Sequence, residues 1–155
     1  MSVIAYCDGV MAADGCSFSS TMRYRAMHPK VSRCAVGLIG SAGPSSDALL
    51  FHQWMASGAP DDAKPPISDD KDDRLHGLWA RNDGSLWFTD RRLIFHEIEP
   101  LAAIGETVVC AFAEGVMRAG LGAITAVELA IKHCIYAGGA VQSERLARIS
   151  VRSIA

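Results

Sequence analysis

The chain opens on two short apolar runs, Val3–Cys7 and Val10–Ala13, separated by the turn pair Asp8-Gly9. β-prone runs on either side of an Asp-Gly turn predict a hairpin. Because it starts almost at the N-terminus, a sheet ladder is expected to pin the first side chains, which would otherwise fray. A polar stretch over residues 17–25 follows, in which no element is predicted. Residues 30–40 then alternate and become continuously apolar, as two strands buried on one or both faces would.

Residues 41–46 form a loop of small residues, and Ser45, Ser46 and Asp47 are candidate helix caps. Beyond them Ala48, Leu49, Phe51, His52 and Met55 recur at helical spacing until Gly58 and Pro60 stop the helix. Residues 59–73, rich in Pro, Asp and Lys, read as a solvated loop, since too little chain lies on either side for independent cores. Strand patterns return at residues 75–81, 85–89 and 93–98, with Asn82-Asp83-Gly84 as a hairpin signal.

The period then changes. Val108, Ala111, Phe112 and Val116, followed by Ala123, Val127, Leu129, Ala130 and His133, predict two helices separated at Gly120 and Gly122. Gly138-Gly139-Ala140 ends them, and residues 146–154 are read as a closing strand. Strands, one helix, strands and two helices imply helices on the outer faces of packed antiparallel sheets.

A length of 155 residues suits a single domain over residues 1–155. A formal net charge of -2 leaves no cationic excess for a phosphate backbone, so no nucleic-acid partner is expected. The hydrophobic fraction of 50% implies either a thick core or apolar surface covered by other subunits. Cys7, Cys16, Cys34, Cys110 and Cys134 form no CxxC pair and sit in apolar stretches, which points to reduced thiols and a cytoplasmic location. No apolar run is long enough to span a bilayer, and the N-terminus lacks the pattern of a signal peptide.

Candidate cofactor chemistry is sparse. His28, His52, His76, His96 and His133 show no zinc-ligand spacing, and no GxGxxG or P-loop pattern is present, so neither metal nor cofactor is expected. Trp54, Trp79 and Trp87, with Phe51, Phe88 and Phe95, read as packing groups.

Four segments carry a likeness to a known family. Ser2-Val3-Ile4-Ala5-Tyr6 and then Gly9-Val10-Met11-Ala12-Ala13-Asp14-Gly15 look like a nucleophile strand, a turn and a second strand ending in an aspartate. Lys30 opens Lys-Val-Ser-Arg sixteen residues after Asp14. Ile39-Gly40-Ser41-Ala42-Gly43-Pro44-Ser45-Ser46-Asp47 matches a glycine loop leading into a helix, and Ala103-Ile104-Gly105 precedes the helical pair that ends at Tyr136-Ala137-Gly138-Gly139. Over nearly its whole length the chain thereby resembles proteasome β subunits and, more closely, the HslV-type bacterial peptidase and its small phage-encoded relatives.

The resemblance implies an N-terminal-nucleophile hydrolase fold, α+β in class: a four-layer α/β/β/α sandwich of two antiparallel sheets flanked by helices. It also implies assembly into a homo-oligomeric ring. The nucleophile of such enzymes is the side chain of the first mature residue, whose own α-amine accepts the proton. Removal of Met1 would place Ser2 in that role. Lys30 would then stabilise the alkoxide, Asp14 would orient Lys30, and the backbone N–H of Gly43 would face the developing oxyanion. Ser41 would lie near the side-chain pocket and make it small or polar.

Each of these residues also has a purely structural reading: Asp14 and Lys30 as a buried pair fixing strand register, Gly43 as a turn. The chain departs from the family at Glu106, Cys134 and Ala137, where serine, aspartate and serine normally steady the α-amine. The implied function is a self-compartmentalising endopeptidase subunit acting on peptides or unfolded protein, fed by an ATPase unfoldase on a separate chain. Two alternatives stand beside it: a catalytically degenerate scaffold subunit and an amidase for small amides.

Overall fold

The computed structural model describes residues 2–18, 22–70 and 74–147. Its first elements are the expected hairpin of β1 (Val3–Cys7) and β2 (Val10–Ala13), in antiparallel register with Ile4 opposite Ala13. Asp8 and Gly9 both have positive φ, the conformation a two-residue hairpin turn demands and an Asp-Gly pair accepts.

A second hairpin follows, β3 (Cys16–Phe18) with β4 (Arg23–Arg25), inside the polar stretch where no element was expected. All three residues of β4 are exposed, so no alternation of apolar positions marks it in the sequence. Then come β5 (Val31–Cys34), β6 (Gly37–Ala42), helix α1 (Ser45–Ala56), and the meander β7 (His76–Arg81), β8 (Leu86–Asp90) and β9 (Phe95–Ile98). The chain continues with β10 (Leu101–Gly105), helices α2 (Thr107–Arg118) and α3 (Ala123–His133), and β11 (Gln142–Arg145).

Two large antiparallel sheets result, ordered β10-β1-β2-β11 and β5-β6-β7-β8-β9, beside the small β3-β4 pair. Alternation along β1 and β2 decides the layers. Val3, Ala5, Cys7, Val10 and Ala12 face α2 and α3, packing on Val109, Ala113, Ala126, Val127 and Ala130. Ile4, Tyr6, Met11 and Ala13 face the other sheet and meet Val31, Leu38, Leu78 and Leu86. On that sheet's far side Ile39 and Leu75 pack against Phe51, Trp54 and Met55 of α1. The order is therefore α/β/β/α, as expected. With both faces covered, every residue of β1 and β2 is buried, which is why their sequence is apolar throughout and does not alternate with polar residues.

Local differences have local causes. Pro44, not a serine or Asp47, is the N-cap of α1, and no side chain caps it. Asp47 instead accepts the Ser68 N–H at 3.1 Å, tying the long loop to the helix. That loop contains one 3-10 turn at Asp61–Ala63, and residues 71–73 lie outside the described residues. The closing strand is Gln142–Arg145, four residues before its expected start, because its pairing partner β2 spans only Val10–Ala13. Most of the strand expected at 146–154 lies outside the described residues.

Candidate active site

Ser2 stands one residue before β1 and Asp14 one residue after β2, so the hairpin register places them at the same end of the sheet. The ladder extends one step beyond the paired strands: Asp14 N–H donates to the Val3 carbonyl at 3.2 Å. Val3 N–H donates in return, to the Asp14 carboxylate, with Oδ1 at 3.0 Å.

Asp14 is fully buried and its carboxylate is well supplied with donors. Besides Val3 N–H, Oδ1 accepts Lys30 Nζ at 2.7 Å, and Oδ2 accepts the Gly138 N–H at 3.2 Å. Lys30 Nζ also donates to the Cys16 carbonyl. A buried carboxylate keeps its charge only with such partners. Burial pulls the Lys30 ammonium below its ordinary value, and the adjacent Asp14 offsets part of that shift.

The backbone of Lys30 is fixed as well. Its N–H donates to Gln142 Oε1 at 2.8 Å, and its carbonyl accepts the Ser41 N–H at 3.0 Å. Three parts of the chain thus converge on Lys30: β2 through Asp14, β6 through Ser41 and β11 through Gln142.

One cleft collects the sequence-derived candidates. Ser2, Lys30, Ser41 and Gly43 line it together, with Ser17 and Ser45 among the other walls. Asp14 is not on the cleft surface; it stands behind Lys30. Gly43 has φ +130, and a Cβ there would come within 2.7 Å of the Arg74 carbonyl oxygen, so only glycine fits.

Ser2 is held from a side that the sequence marked only by Gly105. Glu106 N–H donates to the Ser2 carbonyl at 2.9 Å, and a Cβ on Gly105 would run into that same carbonyl. At the positions where the resemblance leads one to expect serine, aspartate and serine, the side chains are Glu106, half-buried Cys134 and buried Ala137. Sequence reasoning missed Gln142 and marked Gly138 only as part of the Gly-Gly that ends the helical pair; the two act through a distant amide oxygen and a backbone N–H. Neither function has a residue-type signature.

Among the described residues no three His, Cys, Asp or Glu side chains gather to hold a metal ion. The buried Cys110 thiol offers no rival nucleophile. Burial, with Glu114 and Glu106 nearby, pushes the Cys110 thiol up to about 12, where almost no thiolate exists at neutral pH.

The fold is shared with solved structures. BPH of Thiobacillus denitrificans, in complex with epoxomicin, superposes with a TM-score of 0.67 at 19% identity, covering 95% of this chain and 100% of that one. BPH solved alone gives 0.67 at 20% identity, over 96% and 100%. Eukaryotic HslV from Trypanosoma brucei gives 0.67 at 16% identity, over 93% and 98%. No family model and no curated protein matches the sequence. The expected α/β/β/α sandwich is therefore the fold observed, and it is the fold of BPH and HslV.

Proposed function

We propose that the chain is a subunit of a proteasome-type, self-compartmentalising endopeptidase whose nucleophile is Ser2, exposed by removal of Met1. The observation that carries this reading is the Asp14 carboxylate, which bonds the backbone beside Ser2 and the ammonium of Lys30 through one oxygen. A purely structural pair would need no open cleft beside it, whereas Ser2, Lys30 and Gly43 line one together.

In this mechanism the free α-amine of Ser2 takes the hydroxyl proton as Oγ attacks the carbonyl carbon of a peptide bond. A free α-amine titrates near ~8, so a useful fraction is neutral at pH 7. The Lys30 charge lowers the cost of the alkoxide, and the Gly43 N–H accommodates the oxyanion of the tetrahedral intermediate. Collapse expels the amine half of the substrate, which leaves with the proton held by the α-amine. The ester on Ser2 is then hydrolysed by water, and the hydroxyl and α-amine are restored. Substrates are peptides or unfolded protein, held inside a homo-oligomeric ring that a separate ATPase feeds.

A scaffold subunit without turnover is the second reading. Ala137 favours it, being buried and unable to offer the α-amine a hydroxyl. Intact mass before and after exposure to epoxomicin, the ligand bound to BPH, separates the two readings. A peptide epoxyketone needs a free N-terminal amine beside a nucleophilic hydroxyl. Loss of Met1 with a single adduct on Ser2 supports the peptidase; retained Met1 without an adduct supports the scaffold.

A further inference from the structure

Behind the cleft, three side chains from three elements form a hydrogen-bonded chain. His52 on α1 places Nδ1 2.8 Å from Ser32 Oγ on β5, and Nε2 3.0 Å from Ser41 Oγ on β6. Ser41 is only 2% exposed, and it lines the cleft with Ser2, Lys30 and Gly43. His52 therefore touches the cleft only through the Ser41 hydroxyl.

A neutral imidazole has one N–H and one bare nitrogen, so this chain has two proton arrangements. In the first, Nε2–H donates to Ser41, Ser32 donates to Nδ1, and the Ser41 proton is left for the cleft. In the second, Ser41 donates to Nε2, Nδ1–H donates to Ser32, and Ser41 offers the cleft only lone pairs. One uncharged hydroxyl can thus serve a substrate as donor or as acceptor.

The chain is not a second nucleophile with its own base. Burial, reinforced by the nearby charge of His28, brings His52 down to about 4, too weak a base to deprotonate a serine at neutral pH. Its effect is to hold Ser41 in place. Among the described residues the cleft walls carry no carboxylate to meet a basic side chain, and Lys30 is already engaged by Asp14 and the Cys16 carbonyl; His28 is the other titratable side chain on the walls. Ala26 and Ala48 narrow the cleft but bring no polar group.

We propose that the Ser32–His52–Ser41 chain makes this cleft select a small, uncharged, hydrogen-bonding side chain, such as Thr, Ser or Asn, beside the cleaved bond. His52 is a positioning residue in this scheme, acting through Ser41. The proposal rests on the peptidase reading and extends it to a substrate class.

The test uses two peptide epoxyketones that differ only in Thr or Val next to the reactive group, a pair of nearly equal volume. The rate of Ser2 modification is followed by intact mass in the wild-type protein, His52→Leu and Ser32→Ala. One hydrogen bond to a neutral partner corresponds to a preference of about fivefold to tenfold. The wild type is expected to favour the Thr probe by that factor, and both substitutions to bring the ratio toward one. Ser32→Ala, at a half-buried site away from the cleft, keeps the test valid if His52→Leu does not fold. Equal rates in the wild type overturn the selectivity while leaving the peptidase intact, since Ser2 still reacts. An unchanged preference in Ser32→Ala and His52→Leu overturns the role of His52. No reaction with either probe overturns the peptidase reading and this proposal together.

Discussion

Asp14 Oδ1 lies 2.7 Å from Lys30 Nζ, with the carboxylate wholly inaccessible and the lysine side chain almost so. The pair joins the two sheets, since Asp14 follows β2 and Lys30 precedes β5. Removing one partner of such a pair leaves the other charged and dry, at a cost of about 3–5 kcal/mol. Lys30→Ala is therefore expected to lower the unfolding free energy by that amount, measured by urea titration. It should also reduce peptide hydrolysis by about a hundredfold to a thousandfold, assayed under conditions where the variant stays folded. Full activity in a folded Lys30→Ala protein would remove the lysine from the mechanism and leave the pair a structural one.

Ser2→Ala gives the opposite pattern. Ser2 is a small side chain at the end of a strand, and its backbone contact with Glu106 does not involve the hydroxyl. Loss of one oxygen there is expected to change stability by less than about 1 kcal/mol, while peptide hydrolysis and adduct formation disappear. Hydrolysis that persists in Ser2→Ala would assign the nucleophile elsewhere.

Much of this arrangement was legible in the sequence, and the legible parts share a cause. β1, β2 and β6, covered on both faces, are specified by short continuous runs of apolar and small residues, and the three helices by a period that buries one face. Ser2, Asp14, Lys30 and Gly43 came from a resemblance carried by short motifs along the chain, and the structure places all four within one small region. What stayed hidden was specified non-locally. β4 has no buried face to announce it, and β11 has only a short partner to stop it. Gln142 reaches Lys30 across 112 residues, and His52 looks like any other isolated histidine until Ser32 and Ser41 stand on either side of it.

Gly105 supplies a more discriminating test of how Ser2 is held. Its φ is +127, and a Cβ would collide with the Ser2 carbonyl, breaking the bond from Glu106 N–H. Gly105→Ala is expected to cost about 1–3 kcal/mol through backbone strain and to displace Ser2 from Lys30. A misplacement of about 1 Å near reacting atoms can cost about a hundredfold in rate. kcat for peptide hydrolysis should therefore fall far more than stability does. Equal activity in Gly105→Ala and wild type would mean that the Ser2 backbone is positioned by other contacts.

The buried imidazole gives the protein a pH dependence whose sign can be worked out. His52 is held near 4 in the folded state against an ordinary value of 6.5, mainly by burial. Above pH 6.5 it is neutral in both folded and unfolded chains and contributes no pH dependence. As pH falls from 6.5 toward 4 the unfolded chain binds a proton that the folded one resists, so stability declines over that window. Two and a half units correspond to up to about 3 kcal/mol. The experiment compares urea unfolding of wild type and His52→Gln at pH 8, 6, 5 and 4. Carboxylates common to both proteins cancel in the difference. His52→Gln is expected to be the less stable at pH 8, where it loses part of the Ser32–Ser41 bridge, and to narrow the gap as pH falls, because glutamine has no proton to refuse. Parallel curves across the whole range would mean that His52 titrates as an exposed histidine does, and that the bridge between Ser32 and Ser41 is not held by a neutral ring.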